Sequence, residues 1–166
     1  MLKKEVLEAL NKQIGLELQA MYEYLGMAIY FEQELLKGFA AWFRKQTGEE
    51  QSHAQKLIDY VLDRGGQVKL PAIPAVETRF ASPLEAVKGA YAAECRNTAG
   101  INSCCAVAEK ADDLATQNML QWFVGEQVEE EKWSSEFVAL VEKVGSSVGA
   151  LYQVDHRIGE MAEKKE

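Results

Sequence analysis

All three prolines of the chain, Pro71, Pro74 and Pro83, fall in one short stretch, and the rest of its 166 residues has none. Proline breaks a helix by removing a backbone donor and clashing with the preceding turn. The blocks before and after this stretch are therefore free to form long helices. Lys37-Gly38 reads as a tight turn between a first helix over about 3–36 and a second over about 39–64, which Gly65-Gly66 ends. Ser82-Pro83-Leu84-Glu85 carries three signals of a helix start: a capping serine, a proline at the first helical position and a glutamate that completes a capping box. The third helix then runs to about 111, and Asp112-Asp113 and Thr116 offer caps for a fourth that ends near 144. A short fifth helix spans about 147–159, and residues 163–166 read as a solvated tail.

The 17 residues from Gly66 to Ser82 reach at most roughly 55 Å when extended. A helix of about 28 residues is roughly 42 Å long. The segment can thus run the full length of a bundle. The expected fold is all-α: a four-helix bundle over about 3–144 with one long crossover at 66–82 and a short fifth C-terminal helix, in a single domain over 1–166.

Apolar residues recur at steps of three and four, the seam of packed helices. Polar residues interrupt every stripe near its middle. The first stripe reads Leu10, Ile14, Glu17, Met21, Tyr24, Ala28, and the second Phe39, Phe43, Gln46, Glu50, His53, Leu57, Tyr60. The third reads Leu84, Val87, Tyr91, Glu94, Thr98, Ile101, Cys105, Ala108, and the fourth Leu120, Phe123, Gln127, Glu130, Ser134, Phe137, Val141. An offset of 77 residues relates Glu17 to Glu94, Glu50 to Gln127, His53 to Glu130 and Glu49 to Glu126, so the two hairpins read as a diverged internal repeat. A pseudo-two-fold bundle brings Glu17, Glu50, His53, Glu94, Gln127 and Glu130 to one depth.

One buried glutamate or histidine is usually an ordinary core residue with a partner. Four carboxylates are not, because no Lys or Arg in the stripes neutralises them. Each uncompensated buried carboxylate costs on the order of several kcal/mol, and four repel one another, so only bound cations or heavy protonation make the cluster tolerable, and metal binding is the expected answer. Oxygen ligands with a single imidazole suit iron or manganese. Charged residues make up 27% of the chain and the net charge is −8, which excludes a nucleic-acid groove and fits a protein that attracts cations. Cys95, Cys104 and Cys105 lack metal-binding spacing and read as reduced thiols. The amphipathic start is no signal peptide, and no apolar run nears the ~20 residues of a membrane span. A cytoplasmic protein without a membrane partner is expected.

Glu17, Tyr24, Glu49-Glu50-Gln51-Ser52-His53, Glu94 and the run Leu120–Glu131, taken with chain length and helix order, resemble the bacterial non-haem ferritins. The resemblance implies iron storage and detoxification by a ferroxidase. Glu17, Glu50 and His53 would hold one iron, and Glu50 would bridge to a second held by Glu94 and Glu130. Gln127 would lie beside the pair, and Tyr24 close enough to bond a ligand or lend an electron. Fe(II) would be oxidised by O2 or H2O2, and the ferric product would mineralise inside a hollow homo-oligomeric shell of 24 subunits. Residues matching Glu49, Glu126 and Glu129 form a third iron site beside Glu130 in such ferritins. Bacterioferritins complete a second Glu-x-x-His and carry a haem-ligating methionine; Glu130 and Ser52 stand at those positions, which implies no haem. Residues 116–123, Thr-Gln-Asn-Met-Leu-Gln-Trp-Phe, lack the acidic residues of the animal three-fold channel.

Two other readings stand beside this one: a di-iron oxidase or peroxidase of the rubrerythrin kind, and a non-enzymatic helical scaffold. Trp122 and Trp133 read as packing residues and His156 as a surface or interface residue. The apolar face of the fifth helix, with Val148, Leu151, Tyr152 and Ile158, is expected to need another subunit.

Overall fold

The computed structural model describes residues 2–164; residues 165 and 166 of the expected tail lie outside that range. Five helices follow one another: α1 Lys4–Gln33, α2 Lys37–Asp63, α3 Pro83–Lys110, α4 Leu114–Val144 and α5 Val148–Glu163. The starts of α3 and α4 are capped by side chains. Ser82 Oγ accepts from Glu85 N at 3.2 Å, and Asp113 Oδ1 from Thr116 N at 3.1 Å. α2 ends at Gly65, whose φ of +69° is a conformation glycine adopts without strain.

α1 packs against α2 and α3, and α3 against α4, whereas α2 and α4 make no close backbone approach. The crossover lies along α1. A Cβ on Gly15 would meet Pro71 at 2.9 Å, and one on Gly26 would meet the carbonyl oxygen of Glu77 at 2.4 Å. Two apolar clusters fill the bundle. One gathers Tyr24, Phe31, Phe39, Phe43, Trp133 and Phe137, with Phe31 stacked on Phe39 and Phe43 at 4.6 and 5.3 Å. The other gathers Val6, Leu10, Ile14, Leu57, Ile101 and Phe123. Each fully buried Leu, Ile or Phe stabilises the fold by roughly 1.5–3 kcal/mol. The polar layer sits between the two clusters.

Three expectations need correction. The turn before α2 lies not at Lys37-Gly38 but at Leu35, with φ of +60°, and Lys37 and Gly38 open the helix. Gly38 answers a different need: a Cβ there would sit 1.7 Å from the carbonyl oxygen of Asp155 in α5. Secondly, the buried face of α3 runs through Ala86, Val87, Ala90, Ala93, Glu94, Asn97, Ile101 and Cys104, while Tyr91 is exposed. Small alanines let α3 approach its neighbours closely, and this turns the larger Tyr91 outward. Thirdly, α5 extends to Glu163 and docks on its own bundle. Ile158 is fully buried, Leu151, Val154 and Met161 pack on the first cluster, and Asp155 Oδ1 accepts from Phe39 N at 2.8 Å. Only Val148 and Tyr152 of its apolar residues stay exposed.

Candidate metal centre

Glu17 from α1, Glu50 and His53 from α2, Glu94 from α3 and Glu130 from α4 converge between the apolar clusters, all buried. Their ligand atoms form two groups, Glu17–Glu50–His53 and Glu50–Glu94–Glu130, in each of which the atoms lie within 4.8 Å of one another. Glu50 belongs to both. His53 Nδ1 is 3.9 Å from Glu17 Oε2 and 3.7 Å from Glu50 Oε1, beyond hydrogen-bond reach. Both His53 Nδ1 and Glu50 Oε1 are buried without a partner. Such orphans are rare in folded proteins, and here they face one another across a gap of cation size. Among the described residues no Lys or Arg pairs with these carboxylates.

Electrostatics point the same way. Burial, with repulsion from Glu50, pushes the Glu17 carboxyl well above its usual range. Burial, with Glu94 nearby, does the same to Glu50. Glu94 is pushed up to about 7 and Glu130 to about 9, each mainly by burial. Burial also raises the Tyr24 phenol, with Glu94 adding to it. Each of these carboxyls therefore favours its protonated form so long as no cation lies beside it.

Neutral donors surround the carboxylates. The Tyr24 hydroxyl donates to Glu94 Oε1, and Trp133 Nε1 donates to Glu130 Oε2. Gln127 Nε2 donates to Glu94 Oε2 at 3.2 Å and to Thr98 Oγ1 at 3.1 Å, which places Gln127 beside the cluster. Gln13 Nε2 donates to Glu17 Oε1 at 2.7 Å. Asn97 Nδ2 donates to Glu17 Oε2 and Glu50 Oε2, both at 3.3 Å. Sequence reasoning missed Gln13, Asn97 and the polar role of Trp133. Gln13 stands one helical turn before Glu17, and Trp133 three residues after Glu130, so spacing alone could have found these two.

A groove of about 490 Å³ opens between α2 and α4 beside this centre, lined by His53, Glu49, Glu126, Glu129, Trp122 and Trp133 among others. Glu126 joins His53 and Glu130 in a third group of ligand atoms within 4.8 Å. Glu49 and Glu129 do not. Glu49 accepts from Gln46 Nε2 at 2.6 Å and pairs with Lys45 at 3.6 Å. The Glu129 side chain is 72% exposed, with Lys132 at 3.9 Å. Trp122 meets the His53 ring edge-on at 5.5 Å and carries Lys56 over its face at 3.6 Å.

A buried cluster of four carboxylates and one imidazole inside a helical bundle has a counterpart among known families. Residues 7–144 match the ferritin-like domain. The chain belongs to the ferritin family. It is 38% identical to the bacterial non-heme ferritin of Staphylococcus haemolyticus over 152 residues, 92% of each chain. The corresponding Staphylococcus aureus ferritin is 36% identical over 159 residues, 96% of each. Among solved ferritins, an open pore ferritin from the hyperthermophilic archaeon Archaeoglobus fulgidus superposes with a TM-score of 0.93 at 40% identity, covering 96% of this chain and 98% of that one. Iron storage is the function that this family and these ferritin structures support. No helix of the described residues is long and apolar enough to cross a membrane.

Proposed function

We propose that this ferritin is a ferroxidase that oxidises Fe(II) at the paired carboxylate site and stores the ferric product inside a cytoplasmic shell of 24 subunits. The shared, partly orphaned Glu50 carries this reading, because a carboxylate common to two ligand groups holds two cations together. Glu17 and His53 complete the first position, and Glu94 and Glu130 the second. Each Fe(II) gives up one electron. The pair reduces O2 and two protons to H2O2, or H2O2 and two protons to water. Carboxyl protons released as iron binds are available at the site. Tyr24, bonded to Glu94, is the group placed to lend a further electron. The groove between α2 and α4 gives iron a way out past Glu126, which with His53 and Glu130 forms a third, weaker position; Glu49 and Glu129 flank it. Haem has no part in this scheme.

The rubrerythrin-like alternative wants a second Glu-x-x-His, and Gln127 with Glu130 stand in its place. A plain scaffold leaves the orphaned Glu50 and His53 atoms without a purpose. Aerobic Fe(II) titration with sizing before and after separates the three. The expected result is rapid oxidation with iron retained in a particle near half a megadalton. Oxidation by a small oligomer that keeps no iron would overturn storage, and absence of oxidation would overturn the ferroxidase.

A further inference from the structure

α3 offers the centre two side chains one turn apart, and only one of them is a carboxylate. Glu94 faces the second ligand group. Asn97, fully buried, faces the first. Its Nδ2 carries two hydrogens and lies 3.3 Å from Glu17 Oε2 and 3.3 Å from Glu50 Oε2, one acceptor for each hydrogen. With both carboxylates ionised, as a bound cation requires, turning the amide over would set its oxygen against two carboxylate oxygens, so the N–H2 faces them. Its Oδ1 is buried and has no partner. An aliphatic side chain would avoid that unsatisfied oxygen. The amide is therefore a cost to packing, and what it gains is contact with two metal-binding carboxylates.

A neighbouring feature serves the same cluster. A Cβ on Gly100 would lie 2.0 Å from Gln13 Oε1. Gly100, one turn beyond Asn97, thus leaves room for the Gln13 amide that bonds the other oxygen of Glu17. Both Glu17 oxygens and one Glu50 oxygen are held by carboxamides, and Glu50 Oε1 is left free beside His53.

We propose that Asn97 is a positioning residue for the Glu17–Glu50–His53 group, fixing its two carboxylates so that this half binds a divalent cation ahead of the other half. The inference rests on the two-cation reading of the site. Outer partners of this kind alter metal affinity by roughly 10- to 100-fold.

The test is anaerobic Co2+ binding to the assembled apo-protein, followed by calorimetry and by the visible absorption of the bound ion. Unsubstituted protein comes first: failure to bind two Co2+ per subunit there would overturn the two-cation reading itself. Asn97→Leu, which keeps the branched shape and removes the donor, is then made in two backgrounds. With Glu130→Ala, where only the Glu17–Glu50–His53 group is complete, Co2+ affinity should fall about 10-fold or more and the absorption band should change. With His53→Ala, where only the second group is complete, the change should stay under about three-fold. Equal losses in both backgrounds, or no loss in either, would overturn the proposal. Should Asn97→Leu not assemble, Asn97→Thr, which keeps one donor, should give an intermediate loss confined to the first background. Unchanged or unselective binding in Asn97→Thr would overturn the proposal equally.

Discussion

The two halves of the centre share Glu50 but are held by different chemistry. The Glu17–Glu50–His53 half is braced by carboxamides, Gln13 and Asn97, which orient oxygens and do little else. The Glu50–Glu94–Glu130 half is braced by a phenol and an indole as well as by Gln127. Tyr24 and Trp133 lie in van der Waals range of each other, ring centroids 6.1 Å apart, within a larger aromatic cluster. The amides fix where carboxylate oxygens point; a phenol and an indole also have electrons to give. On the proposed ferroxidase reading, the first half would serve capture, and the second lies against aromatic side chains that can give up electrons.

The largest effect expected is the collapse of both halves at once. Glu50→Ala should abolish fast Fe(II) oxidation, a loss beyond the roughly 100-fold expected of outer partners, with helix content intact by circular dichroism. A wild-type initial rate in stopped-flow would remove Glu50 from the centre. Next come the substitutions that separate the halves. His53→Ala and Glu130→Ala should each leave one tight Co2+ per subunit in anaerobic calorimetry. Two tight ions in either variant would mean that the division is false.

Tyr24→Phe deletes the phenol hydroxyl without altering the ring. Iron oxidation should slow by about 10-fold, while Co2+ affinity changes by less than about three-fold. A parallel fall in both would reduce Tyr24 to a brace like Asn97. A smaller effect concerns pH. Glu94 and Glu130 bind their protons up to about 7 and about 9 in the fold, against roughly 4.3 for an unfolded glutamate. Between those limits the folded state holds more protons. Stability of the apo-protein from these groups is therefore full below about pH 4 and is lost as pH rises through 7 and 9. Thermal melts in chelator should drop from pH 5 to pH 9, and Zn2+ should flatten the trend. A melting temperature that climbs over this range without metal would contradict the buried-acid picture. The smallest effect lies at the groove. Glu126→Gln should shift the Fe-to-O2 ratio toward about two, and Glu129→Gln, at an exposed position, should leave it where it was. A shift in Glu129→Gln of the same size would place that residue in the third position after all.

Much of this was legible in the residues. Proline placement and the steps of three and four set four long helices and the crossover. The five buried residues of the candidate centre stood out because Glu and His broke apolar stripes at matched offsets. What escaped had physical causes. On α3 the reading followed the large residues Tyr91 and Cys105, whereas close packing selected Ala90 and Cys104 and carried Asn97 inward with them. Asn97 had no partner at helical spacing to announce it, since both its acceptors come from other helices. Glu49 and Glu126 occupy matching places in the repeat, yet Lys45 and Gln46, one turn before Glu49, engage its carboxylate; that spacing was readable in the sequence and was passed over. The fifth helix was expected to seek another subunit because its own bundle looked closed. Gly38 supplied the missing berth.

That berth has a bearing on how the chain can drift over time. At the crossing of α2 and α5 a Cβ on Gly159 would come within 3.1 Å of the Gly38 Cα, so main chain lies on main chain. The heading of the last helix is thus written in two residues that have no side chains to vary. Outward-facing positions of α5 such as Val148 and Tyr152 can change polarity and size, whereas Phe39, Asp155 and Ile158 are tied to the same crossing. The angle itself stays put until one of those two glycines is replaced, and any replacement at Gly38 evicts the helix altogether.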